Sequence, residues 1–427
     1  MKIKSKKLLL KDNLQIKIKN MNNIITELDG IQTIIADMPD SFTTTIEIFV
    51  KAGSVYENKD NNGISHFLEH MFFKGGKKYD NPMKVAQALD GIGGEFNAYT
   101  SDDYAGYYVK SAPEYISTSF DVLSDMLVNA QFPADELERE KGVIIQEIMM
   151  YEDLPQKLVY DKWKKYYYGD NCFGWSTLGT IENIKKFEQK DFFEHKESLY
   201  TKDNLLIVVA GKIPNIEELK SMIVEYFGKL PKSKKILKPK FEFQKPDNNM
   251  AFFDKNTEQN HLIISAEGFS INKEELYAAN LLGVILGGNM SSRLFQEIRE
   301  KQGLCYYISG SHYAQEEEGL FFIRAGLEKA RFEFGLKAIY EEISKIADGK
   351  ITQQEFEKSL GYKKGKTQMG IETSDQMSDF LGDQYFMKGN IESLETILSK
   401  YEKLTLDDIK NVASKLKVEN LYSFYIK

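Results

Sequence analysis

An α+β fold in two homologous domains is what the sequence predicts, and three observations predict it. A strand–turn–strand–helix pattern occurs twice, about 210 residues apart. A basic, proline-marked stretch separates the two copies. The 427 residues are too many for one typical core and suit two domains of about 200 residues each.

Residues 1–22 read as a basic extension. Lys2, Lys4, Lys6, Lys7, Lys11, Lys17 and Lys19 face only Asp12 before residue 20. Leu8, Leu9 and Leu10 are too short a run for a secretory signal, and an organelle presequence would favour Arg and Ser. A solvated tail or an extra edge strand is expected. Residues 23–230 form the first domain. In it EFNAYT at 95–100 and AGYYV at 105–109 read as adjacent strands around a polar turn. An amphipathic helix follows over 114–129, and NLLIVV at 204–209 closes the unit as a strand. Residues 231–249 are the linker. In the second domain, 250–427, LCYYIS at 304–309, GLFFI at 319–323, a helix over 330–347 and NLYSFY at 420–425 repeat that order.

Composition bounds the function. With 42% hydrophobic and 12% aromatic residues the chain can bury two substantial cores. A net charge of −8 argues against a nucleic-acid binder, which would show a basic face. Cys172 and Cys305 make no disulfide framework, so a reducing compartment is expected, the cytoplasm first and an organelle matrix second. No run approaches the roughly 18 apolar residues of a membrane span.

The chemistry is concentrated in His66-Phe67-Leu68-Glu69-His70. On a helix, His66 and His70 project from one face a turn apart, a spacing that can hold one divalent ion, zinc by preference. Glu69 sits about 100° around from His70, within reach of a water at the ion. Catalytic zinc takes three protein ligands. The stretch 136–147 reads as a helix whose Glu140 and Glu147 share a face about 10 Å apart along the axis. One of them can reach the ion and the other can only support it; spacing alone does not say which.

At this point the sequence resembles the pitrilysin, insulysin and mitochondrial processing peptidase family. His66-x-x-Glu69-His70 matches its inverted zinc motif, and Glu147 follows His70 after the family's 76 intervening residues (147 − 70 − 1 = 76). GSVYE at 53–57, GIS at 63–65 and MFFKG at 71–75 look like the processing-peptidase branch, with Gly76 where that branch usually has Thr. The resemblance runs from about Ile24 to the C-terminus. It implies one zinc per chain held by His66, His70 and Glu147, with Glu69 as general base and Glu140 as supporting acid. It also implies that each domain is an antiparallel sheet covered by helices. Asn97 is implied to bond the substrate main chain. Arg299 and Tyr306, seven apart, match a pair that contacts substrate near the zinc from the family's last domain.

The second copy has no counterpart of the metal residues. Its zinc-helix equivalent, near 278–283, has no histidine, and the Glu147 equivalent carries Lys358, Lys363 and Lys364. A two-domain chain of this family would pair to recreate four domains, as a homodimer or as a heterodimer with a related subunit. The expected function is a zinc endopeptidase acting on peptides or unfolded segments, with substrate added as a strand beside residues 95–100. Two other readings are a non-catalytic or partner-requiring processing-peptidase subunit and a lyase of the autoinducer-synthesis type. The first would normally lose the zinc residues. The second would need a Cys ligand, and Cys172 has no supporting context. Ser291-Ser292-Arg293 after Gly287-Gly288 is read as a turn into a helix, Cys305 as a small core residue, and His195, His261 and His312 as structural.

Overall fold

The computed structural model describes residues 14–18, 21–232, 237–240 and 242–427. Two sheets organise them. The first contains β1 (Leu14–Ile18), β2 (Met21–Leu28), β3 (Ile31–Asp37), β4 (Thr44–Val50), β5 (Glu95–Thr100), β6 (Ala105–Ser111) and β7 (Leu205–Gly211), in the order β1-β2-β3-β7-β4-β6-β5. The second contains β8 (Met250–Phe253), β9 (Gln259–Glu267), β10 (Cys305–Ala314), β11 (Gly319–Glu328) and β12 (Tyr422–Ile426), in the order β10-β11-β9-β12-β8. Of the basic extension, residues 1–13, 19 and 20 lie outside the described residues, while β1 pairs with β2 at the sheet edge.

The expectation of purely antiparallel sheets is corrected. β3 runs parallel to β7, and β12 runs parallel to β8, so both sheets are mixed. A parallel pair needs a long crossover. Helices supply it: α1 (Ile64–Phe72), α2 (Pro82–Asp90), α3 (Ile116–Val128), α4 (Ala134–Asp153), α5 (Pro155–Tyr168), α6 (Ile181–Lys186) and α7 (Gln189–Leu199) lie between β3 and β7 in the chain. After α8 (Ile216–Phe227), the second domain contributes α9 (Leu276–Gly287), α10 (Phe332–Ala347), α11 (Gln353–Met369), α12 (Ser374–Lys388), α13 (Leu394–Glu402) and α14 (Leu406–Ala413).

Strands β4 and β7 are buried at every position, because helices cover both faces of the first sheet. Ile46, Ile48 and Val50 of β4 join the core that holds α1 and α3. On the opposite face, Phe49 packs with Met377 and Leu381 of α12. A Cβ at Gly382 would stand 2.2 Å from the Phe49 ring, so this seam needs glycine. The second sheet has the reciprocal arrangement. There α5, from the first half of the chain, sets Leu158, Val159, Trp163 and Tyr167 against Ile263, Leu320, Tyr422 and Phe424. Each domain therefore lends a helix to the other's sheet. Lys238 adds a polar tie, pairing with Asp103 and with Glu317 at 2.5 Å each.

Candidate metal centre

Helix α1 is only nine residues long, and its first turn is pinned from several directions. Gly63, at φ 100°, opens the helix in the left-handed region. The Glu57 carboxylate accepts from the N–H groups of Gly63 (2.9 Å) and Ser65 (2.8 Å) and from Asn62 Nδ2 (2.9 Å), satisfying donors that a helix start leaves free. Burial pushes the Glu57 carboxyl up to about 7 against those bonds. Ser65 Oγ lies 3.0 Å from Nε2 of buried His195, whose pKa burial pushes down to about 4. Ile64, Phe67, Leu68, Met71 and Phe72 enter the core, which leaves His66, Glu69 and His70 on the other side of the helix.

That side meets α4. The ligand atoms of His66, His70 and Glu147 all lie within 4.8 Å of one another. Glu147 Oε2 stands 3.7 Å from Nε2 of each histidine, too far for a hydrogen bond. Four ligands about 2.1 Å from one zinc stand about 3.4 Å apart, so the spacing fits an ion between these groups. The chemistry of the set also fits. Burial, and then the nearby His70, lowers the His66 pKa to about 3, which keeps that ring neutral and its lone pair available.

Glu140, one α4 face-repeat earlier, touches the other side of His70. Its Oε1 accepts from His70 Nδ1 at 2.8 Å, and its Oε2 pairs with Lys74 Nζ at 2.5 Å. The first bond assigns the proton to Nδ1 and leaves Nε2 facing Glu147. Burial works against an ionised Glu140, yet the bonds from His70 and Lys74 prevail and lower its pKa. His66 Nδ1 is buried with no hydrogen-bond partner among the described residues, so only one of the two imidazoles is fixed from behind. Glu69 accepts from Thr100 Oγ1 through Oε2 at 2.6 Å. Burial raises its pKa, Thr100 and His70 oppose that, and Glu147 adds to it.

The structure thus gathers His66, Glu69, His70, Glu140 and Glu147. It does not gather the other three expected site residues in the same place. Asn97 is exposed on β5 and alternates with Phe96, Ala98 and Thr100, whose side is the one facing α1; its Oδ1 accepts from the Ala98 N–H at 2.9 Å. Arg299, in the helical turn Phe295–Glu300, places its guanidinium over the rings of Phe295 (4.6 Å) and Tyr306 (5.6 Å). Tyr306 is 76% exposed on β10, at an edge of the second sheet.

Sequence reading missed Glu57, Lys74 and Thr100. Lys74 had a signal, since it follows His70 by four residues. Thr100 had a weaker one: alternation along the strand puts it on the same face as apolar Phe96 and Ala98. The remaining histidines have ordinary partners: His261 Nδ1 lies 2.9 Å from Tyr307 Oη, and His312 lies 2.9 Å from Asn280 Oδ1 and accepts from the Phe269 N–H. Cys305 is half-buried, and burial pushes its thiol up to about 11. Arg293 makes a two-pronged pair with Glu355, as a residue at a helix start rather than in a phosphate loop. Among the described residues, no helix is long and apolar enough to cross a membrane.

Comparison with known proteins agrees with this geometry. The pattern described as Insulinase (Peptidase family M16) matches residues 33–181, and that of the Peptidase M16 inactive domain matches 186–360. An uncharacterized zinc protease of Bacillus subtilis, YmxG, is 32% identical over 92% of this chain and 95% of its own. The chain belongs to peptidase family M16. A second relative, an uncharacterized zinc protease of Rickettsia felis, is 32% identical over 93% of this chain and 96% of its own. The M16 fold is seen in solved structures as well. A protease from Helicobacter pylori superposes with a TM-score of 0.86 at 21% identity, covering 98% of this chain and all of its own. The M16 inactive domain protein of Pseudomonas fluorescens gives 0.87 at 19% identity, covering 95% and 97%.

Proposed function

We propose that this M16 chain is a zinc-dependent endopeptidase that cuts peptides and extended or unfolded protein segments. The observation that carries the reading is the convergence of His66 Nε2, His70 Nε2 and Glu147 Oε2 beside Glu69, with Glu140 behind His70. One zinc per chain would be held by His66, His70 and Glu147, where it would polarise a scissile carbonyl and acidify a water. Glu69 takes the proton of the attacking water and later delivers it to the departing amine. Glu140 keeps the His70 ring in its tautomer and orientation. Two free cysteines accord with a cytoplasmic setting.

Substrate would be laid along the free edge of β5 as an added strand, so that main-chain hydrogen bonds give affinity with little demand on sequence. Asn97 would exchange its bond to Ala98 for one to the substrate backbone. Arg299 and Tyr306 lie on the domain without metal residues, where the Arg299 guanidinium lies over the Phe295 and Tyr306 rings and 3.8 Å from Glu300. In this reading they serve the other subunit of a homodimer, where the partner subunit's Tyr306 donates to the developing oxyanion.

The test uses cleavage of a denatured, alkylated protein. Wild type should cut it faster than its compact form and stop with chelator, and Glu69→Gln should keep its metal and lose cleavage. Mixing Glu69→Gln with Arg299→Ala, each nearly inactive alone, should restore activity, because mixed dimers contain one site with both halves intact. Cleavage by Glu69→Gln at the wild-type rate would overturn the assignment of the base. No recovery after verified subunit exchange would overturn sharing between chains.

A further inference from the structure

We infer that Thr100 is a positioning residue for Glu69, fixing the carboxylate from the strand that would receive substrate. The inference rests on reading Glu69 as the base. Thr100 Oγ1 donates to Glu69 Oε2 at 2.6 Å, a short and charge-assisted bond if the carboxylate is ionised. A glutamate has three side-chain torsions, and its acceptor direction is set only if one oxygen is held. With Oε2 taken by Thr100, Oε1 is left as the oxygen available to a reacting proton.

The surroundings make Thr100 the holder. Burial raises the pKa values of Tyr107 and Tyr200, with a smaller contribution from the charge of Glu69, and the hydrogen bond between their hydroxyls, at 2.6 Å, holds the two rings to each other. Thr100 itself is well fixed. It pairs with Ala105 across the β5–β6 register, and the turn behind it is closed by the Ser101 N–H donating to Tyr104 O at 2.8 Å. A β-branched side chain on a strand has few rotamers, so the hydroxyl has few directions to point. Since β5 is also an edge strand, anything that orders β5 orders the group that aims the base. A mispositioned catalytic group of this kind can cost about 10²-fold in rate.

Thr100→Val keeps the shape and deletes the hydroxyl, and Thr100→Ser keeps the hydroxyl. The expected result for Thr100→Val is a kcat about 10- to 100-fold lower, a KM within about twofold, and unchanged zinc content and melting temperature. Thr100→Ser should stay within about threefold of wild type. Crystal structures of the metal-free proteins supply a readout independent of turnover: the Glu69 carboxylate should occupy one position in wild type and Thr100→Ser, and several in Thr100→Val. Wild-type kcat in Thr100→Val, an equal loss in Thr100→Ser, or a loss that tracks missing zinc would each overturn the inference. Glu69→Gln separates the two levels. If that variant cleaves, the base assignment fails; if it is inactive while Thr100→Val is normal, only the role of Thr100 fails.

Discussion

In the first domain, α1 sets its apolar residues into the core and turns its histidines toward Glu140 and Glu147 of α4. In the second domain, α9 holds the equivalent place before the β10–β11 hairpin, and β10 closes directly onto it. A Cβ at Gly283 would stand 2.5 Å from His312 N, and one at Gly287 would stand 2.1 Å from Gly310 N. The ten buried residues of α9 are all apolar or glycine, whereas the seven buried residues of α1 include His66, so α9 buries no ligand residue. The facing helices differ in the same sense: α4 offers Glu140 and Glu147, whereas α11 offers Lys363, whose pKa burial lowers. The contrast teaches that a metal site in this fold needs more than ligand residues. It needs a helix whose neighbours leave room for side chains larger than glycine. The borrowed helices contrast too. α5 meets the second sheet through aromatic rings, while α12 meets the first partly through carboxyls.

The largest effect on this comparison should come from the aromatic seam. Trp163 is 1% exposed, donates to Ser265 Oγ at 3.0 Å and lies 4.7 Å from the ring of Phe322. Trp163→Ala should cost about 3–5 kcal/mol. Hydrogen exchange should show protection falling in β9–β12 before β3–β7; equal loss in both sheets would mean that the domains unfold as one unit.

A smaller effect is expected from the support behind His70. Glu140→Gln should weaken zinc binding by about 10- to 100-fold, since the ring loses a charged partner. Titration against a competing chelator measures this, and unchanged affinity would reduce Glu140 to a salt bridge with Lys74.

The smallest effect concerns the polar seam. Glu47, on β4, accepts from Tyr99 at 3.0 Å and from Ser378 of α12 at 2.7 Å. Burial, and then the charge of Asp379, pushes its pKa up to about 8 from 4.5. Between those values the folded chain holds a proton that the unfolded chain has released, so this group's stabilisation is present below 4.5 and lost as pH rises through 8. Glu47→Gln should gain stability on wild type as pH rises from 5 to 8.5, because wild type alone loses a buried proton over that range. A difference that does not change with pH would place the proton elsewhere.

Much of this was legible in the chain. The five-residue histidine motif and its 76-residue interval to Glu147 are local features of one helix and of one spacing, and the helices exist where those patterns put them. The hairpins β5–β6 and β10–β11 were readable from alternation. The parallel strands and the exchanged helices were not, because α5 and α12 carry apolar residues that would suit either sheet equally. Thr100 was hidden for a related reason: a threonine on a strand has many uses, and only the three-dimensional pairing reveals that it faces Glu69.

The central claim is that the chain binds one zinc, in the first domain only. Metal analysis of purified wild type and Glu147→Gln tests it most directly. The account predicts about one zinc per chain in wild type and little in Glu147→Gln, with the fold intact. Two zinc ions per wild-type chain, or full occupancy in Glu147→Gln, would contradict it.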